Sequence, residues 1–226
     1  VVTNTPDVLT DATAEIAMLI LLGAARRAKE GIKWVNKKNW KWSADFLMGK
    51  QLTGARLGIL GMGRIGRAVA NIARSFGMII HYHNRSQLDK NLEKGAIYHN
   101  SLESLLSVSD FFSINCPATK ETKHIINKET LNYFPNGAVL SNSARGDMIE
   151  DNAMVEALKN GKIYSLGIDV YNGEPDIHPE YLSLPNVFVL PHLGSATIST
   201  RTDMGNLAVS NLEEFFKTGK CKNTVN

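Results

Sequence analysis

Four side chains that can transfer a proton or bind a carboxylate occupy the second half of the sequence. Arg145 lies in "SNSARGD", Asp169 and Glu174 lie in "GIDVYNGEP", and His192 lies in "LPHLGSAT". A histidine exchanges protons near neutral pH, a carboxylate can fix its tautomer, and a guanidinium binds carboxylates through paired hydrogen bonds. Each residue alone is also typical of a surface salt bridge, so only their convergence would indicate a catalytic site.

The elements that position these residues alternate between short β-branched segments and helical patterns from Gln51 onward. This alternation predicts an α/β fold, a doubly wound parallel sheet in which ligands bind beyond the carboxyl ends of the strands. The predicted strands are Arg56–Leu60, Met78–Tyr82, Phe111–Asn115, Ala138–Ser141, Ser165–Val170 and Val187–Leu190. The predicted helices between them are Arg64–Phe76, Leu102–Ser107, Lys128–Tyr133 and Asn152–Lys159.

The first predicted strand runs into "GMGRIG", in which Gly61, Gly63 and Gly66 form a GxGxxG motif that also contains Arg64 and Ile65. Such glycines permit a tight turn, close approach of a pyrophosphate and close helix–strand packing, while the helix N-terminus binds the anion. Because a strand precedes the motif and an amphipathic helix follows it, we interpret it as a dinucleotide-binding loop rather than an unrelated turn.

The second predicted strand ends in "HYHNRS", where an NAD site normally carries an acidic residue that binds the ribose. Asn84 removes that negative charge, and Arg85 with Ser86 could bind a 2′-phosphate. We therefore expect NADP to be preferred over NAD. In the alternative, these residues form a solvated turn and NAD is used.

Two helices flank this region. Thr10 or Asp11 is expected to cap the first helix, with Ile16, Leu19, Ile20 and Ala24 on one face. The last helix is expected to be amphipathic. Its predicted common face contains Met204, Leu207, Ala208, Leu212 and Phe215.

A tryptophan-rich arm, defined here as residues 29–49, holds Trp34, Trp40 and Trp42 among five lysines. Interleaved basic and aromatic residues can bind single-stranded nucleic acid. We favour an arm that packs on another subunit, since nothing else in the chain resembles a nucleic-acid module.

Composition excludes several classes of protein. The 226 residues carry a net charge of +3, which is too small to argue for nucleic acid. Cys116 and Cys221 have neither zinc-ligand nor CxxC spacing, so we expect no metal site, no disulfide framework and a reducing, cytoplasmic location. No apolar run approaches the roughly 20 residues that span a bilayer, so we expect no membrane segment.

The motifs "GMGRIG", "CPATKET", "SNSARGDMIED", "GIDVYNGEP" and "LPHLGSAT", in this order, resemble the D-isomer-specific 2-hydroxyacid dehydrogenase family, and within it the glyoxylate/hydroxypyruvate reductases. The resemblance covers nearly the whole chain. It implies a Rossmann-type dinucleotide-binding domain, a homodimer formed through the Ala12–Ala25 helix and the tryptophan-rich arm, and NAD(P)H-dependent reduction of glyoxylate or hydroxypyruvate to the D-2-hydroxy acid.

The resemblance also implies roles for individual residues. Arg145 would bind the substrate carboxylate and ketone oxygen, His192 would be the general acid, and Glu174 would hydrogen-bond the other imidazole nitrogen. Asp169 would contact the carboxamide side of the nicotinamide. The other residues expected at the cofactor are Cys116, Pro117, Thr122, Ser143, Ala144 and Gly194.

The resemblance further implies a dinucleotide-binding domain over residues 3–193 and, over 194–226, a helix that packs on a substrate domain whose N-terminal part is absent here. We therefore expect this chain alone to bind dinucleotide but to be inactive or unstable. The alternatives are a related dehydrogenase, such as one acting on phosphite, a dinucleotide-sensing corepressor, and a cofactor-binding fragment without an independent role.

Overall fold

A parallel β-sheet forms the centre of the molecule. The computed structural model describes residues 1–37 and 40–225, and within them the sheet has seven strands in the order β3-β2-β1-β4-β5-β6-β7, every pair parallel. The strands are β1 (Arg56–Leu60), β2 (Ile79–His83), β3 (Ile97–Tyr98), β4 (Phe111–Ile114), β5 (Ala138–Asn142), β6 (Ile163–Ile168) and β7 (Val187–Val189). This confirms the predicted doubly wound α/β fold of the Rossmann type.

Helices cover both faces of the sheet. They are α1 (Thr10–Ala25), α2 (Ala28–Val35), α3 (Arg64–Ser75), α4 (Lys90–Glu93), α5 (Leu102–Leu106), α6 (Lys128–Leu131), α7 (Asp151–Lys159), α8 (Pro179–Ser183) and α9 (Ile198–Thr218), with a 3₁₀ turn at Gly146–Met148. Neighbouring strand residues enter opposite cores: Phe111 packs with α1 and α3, and Phe112 packs with the helices of the other face. Burial on both faces explains why the strands are almost continuously apolar.

Each of the six predicted strands is present, and β1 has the predicted bounds, while the others differ by one or two residues at their ends. The prediction omitted β3, which is only two residues long, and the short helices α2, α4 and α8. Segments this short carry too few residues for a periodic pattern.

The predicted cap of α1 was wrong, and its predicted face was correct only in part, since Ile20 and Ala24 are buried. The turn at Asp7 starts the helix early, so Leu9 occupies the cap position, no side chain caps the helix, and Thr10 lies in its first turn. Leu19 is 46% exposed. The helix instead buries a broad surface centred on small residues, and a Cβ on Gly167 of β6 would lie 2.2 Å from the carbonyl oxygen of Ile20.

The predicted face of α9 was correct only in part. Met204, Leu207 and Phe215 are partly buried, but Ala208 is exposed and Leu212 is 59% exposed. The inward side is fixed by a buried polar residue, Asn211, which donates to the carbonyl of Asn4 (3.0 Å) and accepts from the side chain of Asn223 (2.8 Å). Large apolar side chains remain in solvent on α9. They are Ile198, Val209, Leu212 and Phe216.

The tryptophan-rich arm follows α1. Phe46 contacts Trp34 edge-on and stacks with Trp40, the ammonium of Lys37 lies over the Trp34 ring, and Trp42 is 77% exposed. Lys38, one of the five lysines, and Asn226, at the end of the predicted second unit, lie outside the described residues. No helix in the described part of the chain combines the length and apolar character needed to cross a membrane.

Candidate active site

A cleft of about 660 Å³ opens at the carboxyl ends of the strands, where β1 and β4 lie side by side. The chain leaves these two strands toward opposite edges of the sheet, the position where ligands bind in open α/β sheets. Eight of the predicted site residues line it. They are Ile65, Cys116, Pro117, Ser143, Ala144, Arg145, His192 and Gly194.

The glycine loop joins β1 to α3 and forms one side of this region. Gly61 has φ +90°, and a Cβ there would lie 2.5 Å from the backbone nitrogen of Cys116, while a Cβ on Gly66 would lie 2.2 Å from the carbonyl oxygen of Gly61. Gly63 is the N-cap of α3, has no side chain to cap the helix, and faces open space. The first N–H groups of α3 are therefore free of side-chain caps, which fits a bound pyrophosphate.

Arg64, the first residue of α3, pairs with a residue far away in the sequence. Its Nε lies 2.5 Å from Oδ1 of Asp7, and both side chains are more than half exposed. Asp7 adopts a left-handed backbone conformation with φ 72°. The chain segment that precedes α1 is thereby joined to the glycine loop.

Asn84, Arg85 and Ser86 follow β2 directly. Asn84 Oδ1 accepts the backbone N–H of Met62 at 2.7 Å, so this side chain ties the end of β2 to the glycine loop. Arg85 and Ser86 are exposed in the bend beyond it. No carboxylate follows the strand at this point, and a guanidinium and a hydroxyl are available there.

His192 and Glu174 form a direct pair, with Nδ1 of the imidazole 2.7 Å from Oε2 of the carboxylate. The other oxygen, Oε1, accepts the backbone N–H of Tyr171 at 2.9 Å. Desolvation raises the pKa of Glu174, but these two hydrogen bonds and the charges of His192 and Arg145 together hold that pKa below its ordinary value. An ionised carboxylate only accepts hydrogen bonds, so Nδ1 carries a proton and Nε2 is left for another partner.

Asp169, at the end of β6, is completely buried and holds the loop that carries His192. Its backbone carbonyl accepts the N–H of His192 (2.9 Å), and its carboxylate accepts the N–H groups of Leu193 (2.7 Å) and Gly194 (2.9 Å). His192 has φ 56°, a conformation that is unfavourable for a residue with a Cβ and needs such support. Desolvation raises the pKa of Asp169 despite the two N–H donors.

Arg145 follows β5, and a buried residue that sequence reasoning missed positions its backbone. Asn142 accepts the N–H of Ala144 (3.0 Å) and donates to the carbonyl of Arg145 (2.7 Å). The guanidinium is exposed, and its Nη1 donates to the carbonyl of Ala144 (2.6 Å). In residues 1–37 and 40–225, Arg145 forms no ion pair, so its remaining donors can accept an anionic ligand.

Thr122 and Cys116 support the cleft from the β4 side. The Thr122 hydroxyl donates to the carbonyl of Pro117 (2.9 Å) and accepts the N–H of Thr119 (2.8 Å), so it braces the loop. Burial raises the pKa of Cys116 to about 11, and its thiol contacts the sulfur of Met148. A thiol with so high a pKa packs as a small apolar group rather than acting as a nucleophile.

The family of this chain is shown by comparison with known proteins. Residues 18–194 match the model described as D-isomer specific 2-hydroxyacid dehydrogenase, NAD binding domain. The chain belongs to this family. It is therefore an oxidoreductase that uses a nicotinamide cofactor.

Several dehydrogenases resemble the chain over most of its length. A glycerate dehydrogenase from Hyphomicrobium methylovorum is 44% identical over 216 residues, which cover 94% of this chain and 67% of the relative. A glyoxylate reductase from Thermococcus kodakarensis is 43% identical over 229 residues, 99% of this chain and 68% of the relative. The solved structure of an NADPH-dependent glyoxylate/hydroxypyruvate reductase from Sinorhizobium meliloti, in complex with NADP and malonate, has a TM-score of 0.89 and 35% identity, covering 100% of this chain and 70% of that one.

In this dehydrogenase the cleft also contains residues that sequence reasoning did not select as site residues. They are Leu9, Thr13, Asn115, Ala118 and Met204. Asn115 could have been selected because it directly follows β4 in the sequence; within the described residues, its Oδ1 is buried without a hydrogen-bond partner. Leu9, Thr13 and Met204 come from the helices at the two ends of the chain, so only the tertiary fold brings them here.

Proposed function

We propose that this dehydrogenase reduces glyoxylate or hydroxypyruvate to the corresponding D-2-hydroxy acid with NADPH. The observation that carries the proposal is the His192–Glu174 pair, which shares one cleft with the unpaired guanidinium of Arg145. An acid, a carboxylate anchor and a dinucleotide loop at one sheet edge are the parts that reduction of a 2-oxo acid requires.

Each residue has a defined task in the proposed reaction. Arg145 binds the substrate carboxylate and orients the carbonyl group through its planar set of donors. Glu174 keeps the proton of His192 on Nδ1, so Nε2 delivers the second proton of the imidazolium to the carbonyl oxygen. When bound, the nicotinamide supplies the hydride that reaches the carbonyl carbon. Asp169 holds the His192 loop, and its expected contact with the carboxamide stays a prediction.

The cofactor would lie on the glycine loop, with its pyrophosphate at the N-terminus of α3 and Gly63 leaving space for it. The preference for NADP rests on Arg85 and Ser86, which are exposed beyond β2 without an acidic residue in the strand-end position. A 2′-phosphate there would receive a charge-assisted hydrogen bond from the guanidinium.

Steady-state kinetics of the full-length protein with glyoxylate and hydroxypyruvate, each with NADPH and NADH, test the function directly. His192→Asn should lower kcat by at least about 10²-fold, because the proton donor is lost. His124→Asn is a matched control, since His124 also has a left-handed backbone (φ 50°) but does not line the cleft. Equal activity of the two variants would rule out the role of His192.

Arg85→Asp tests the cofactor preference separately. The exchange should lower kcat/KM for NADPH by about tenfold or more and spare NADH, because a carboxylate repels the 2′-phosphate and binds a ribose hydroxyl. Arg26→Asp, an exposed arginine at the end of α1, controls for the change in net charge. A parent enzyme that prefers NADH would contradict this assignment.

We also propose that two copies associate through the tryptophan-rich arm. The arm carries exposed apolar side chains, those of Ile32, Val35 and Trp42. Most residues of α1, in contrast, are buried inside the domain. Sedimentation of the parent protein and of Trp42→Ser tests this: we expect a dimer that the substitution weakens. A parent that sediments as a monomer would refute it.

A further inference from the structure

Tyr171 lies two residues after Asp169 and contacts three different loops. Its hydroxyl donates to the carbonyl of Leu190, and its backbone N–H donates to Oε1 of Glu174 at 2.9 Å. Its carbonyl carbon lies against Gly146, so closely that a Cβ on Gly146 would be only 1.9 Å away.

Each of these loops carries one of the residues to which the proposed function assigns chemistry. Gly146 directly follows Arg145, Leu190 precedes His192 by two residues, and Glu174 is contacted itself. The three loops leave different strands, β5, β6 and β7, and Tyr171 is a point at which they all meet.

We propose that Tyr171 is a positioning residue that holds the Arg145, Glu174 and His192 loops in register. This inference rests on the proposed function for the roles of those three residues. Tyr171 touches neither cofactor nor substrate, and it acts through the loops that it joins.

The surroundings of Tyr171 suit this role. The ring is half-buried against the apolar core beneath β5 and β6, which fixes the direction of the hydroxyl. Desolvation and the negative charges of Asp169 and Glu174 raise its pKa to about 12, so the hydroxyl stays protonated and remains a donor. A phenylalanine would keep the ring packing and remove only the hydrogen bond to Leu190.

The test compares Tyr171→Phe with Tyr164→Phe in the same protein. Tyr164, on β6, also donates its hydroxyl to a backbone carbonyl, that of Met48 at 2.9 Å, but away from the cleft. Two quantities are measured: turnover with glyoxylate and NADPH, and the downfield proton resonance of the imidazole Nδ1–H in the unliganded protein. His192→Asn assigns that resonance by abolishing it.

We expect Tyr171→Phe to lower kcat by about ten- to a hundredfold, as small misplacements of catalytic groups do, with the KM for NADPH unchanged. The His192 resonance should broaden or shift, while Tyr164→Phe leaves both quantities at parent values. A His192 resonance that is the same in Tyr171→Phe and the parent would overturn the proposal, even if thermal stability falls. Failure of the proposed function would appear differently, as full turnover in His192→Asn, and the resonance would still decide the role of Tyr171.

Discussion

The two sides of the cleft are built in different ways. The cofactor side consists of the glycine loop and the end of β2. Its geometry requires glycine, because Gly61 and Gly66 pack against backbone atoms with which a Cβ would collide. On the catalytic side, defined by the loops after β5, β6 and β7, buried side chains such as Asn142 and Asp169 hold the backbone in place. Substitutions in the glycine loop should therefore fail mainly by steric collision. On the catalytic side, where Gly146 also lies close to the backbone of Tyr171, the loss of single hydrogen bonds is a second way to fail.

The largest effect should come from an added methyl group on the cofactor side. Gly61→Ala would force a residue with a Cβ to φ +90° and place that carbon 2.5 Å from the Cys116 nitrogen, so the β1–β4 pairing must shift. We expect a loss of about 3 kcal/mol or more in the free energy of unfolding, measured by urea denaturation.

Gly63→Ala is the matched comparison, because its Cβ would meet no atom within 4 Å. We expect the free energy of unfolding to change by less than about 1 kcal/mol while the Kd for NADPH, measured by fluorescence, rises at least tenfold. If both alanine variants were equally stable, the description of this side as sterically determined would be wrong.

A smaller effect is expected on the catalytic side from Asp169→Asn. The carboxylate accepts one N–H from Leu193 and one from Gly194 through its two oxygens. An amide has only one oxygen, and its NH₂ group would face the second N–H, so the His192 loop loses one hydrogen bond. We expect a loss of about 1–3 kcal/mol in stability and a fall in kcat that is larger than any rise in the Kd for NADPH from loss of the predicted carboxamide contact.

Asp151→Asn provides the control for that substitution, since Asp151 accepts the hydroxyl of Tyr181 and does not line the cleft. Its kcat should equal that of the parent. A rise in the Kd for NADPH in Asp169→Asn as large as the fall in kcat would show that the two sides are not separable.

The difference between the sides also determines what the sequence predicts. The glycine loop is a local pattern, so its residues and the bounds of β1 followed from the sequence alone. The ends of parallel strands converge by topology, so the order of strands and polar residues along the chain was enough to select Arg145, Glu174 and His192.

The supporting residues could not be found in this way. Asn142 acts locally, on the backbone of Ala144 and Arg145, but a polar residue at a strand end does not by itself indicate that role. Tyr171 acts as a junction through contacts with Gly146 and Leu190, which are distant in sequence. The predicted face of α1 was only partly correct for a related reason: its alanines and Gly23 allow close packing on the sheet, and close packing depends on the partner as much as on the helix.

A pair of histidines at the edge of the sheet formed by β2 and β3 also depends on side-chain contacts. Nδ1 of His81 lies 2.9 Å from Nε2 of His99, and Arg56, Asp110 and His83 are the charged or titratable neighbours of this pair. Desolvation lowers the pKa of both imidazoles. At His81 the positive charges of His99 and Arg56 lower the pKa further, while the negative charge of Asp110 opposes this shift. At His99 the charge of His83 lowers the pKa further.

The smallest predicted effect follows from this pair. Because the folded-state pKa values lie below the ordinary histidine value of 6.5, the unfolded chain binds more protons as the pH falls through 6.5, and stability is lost in that window. We expect the free energy of unfolding to decrease between about pH 7.5 and 5.5, and His99→Gln, which keeps hydrogen-bonding capacity without titrating, to reduce that decrease. An identical slope in the parent and His99→Gln would contradict the assignment.

The bond between Asn84 and the backbone of Met62 also restricts evolution and redesign at this site. A residue there must present a short side-chain oxygen to the glycine loop, which favours asparagine and aspartate. An aspartate would keep the bond and add the charge typical of an NAD site. Under the proposed NADP preference, the two cofactor chemistries are thus one nucleotide change apart, at a position where most other substitutions would remove the hydrogen bond to Met62.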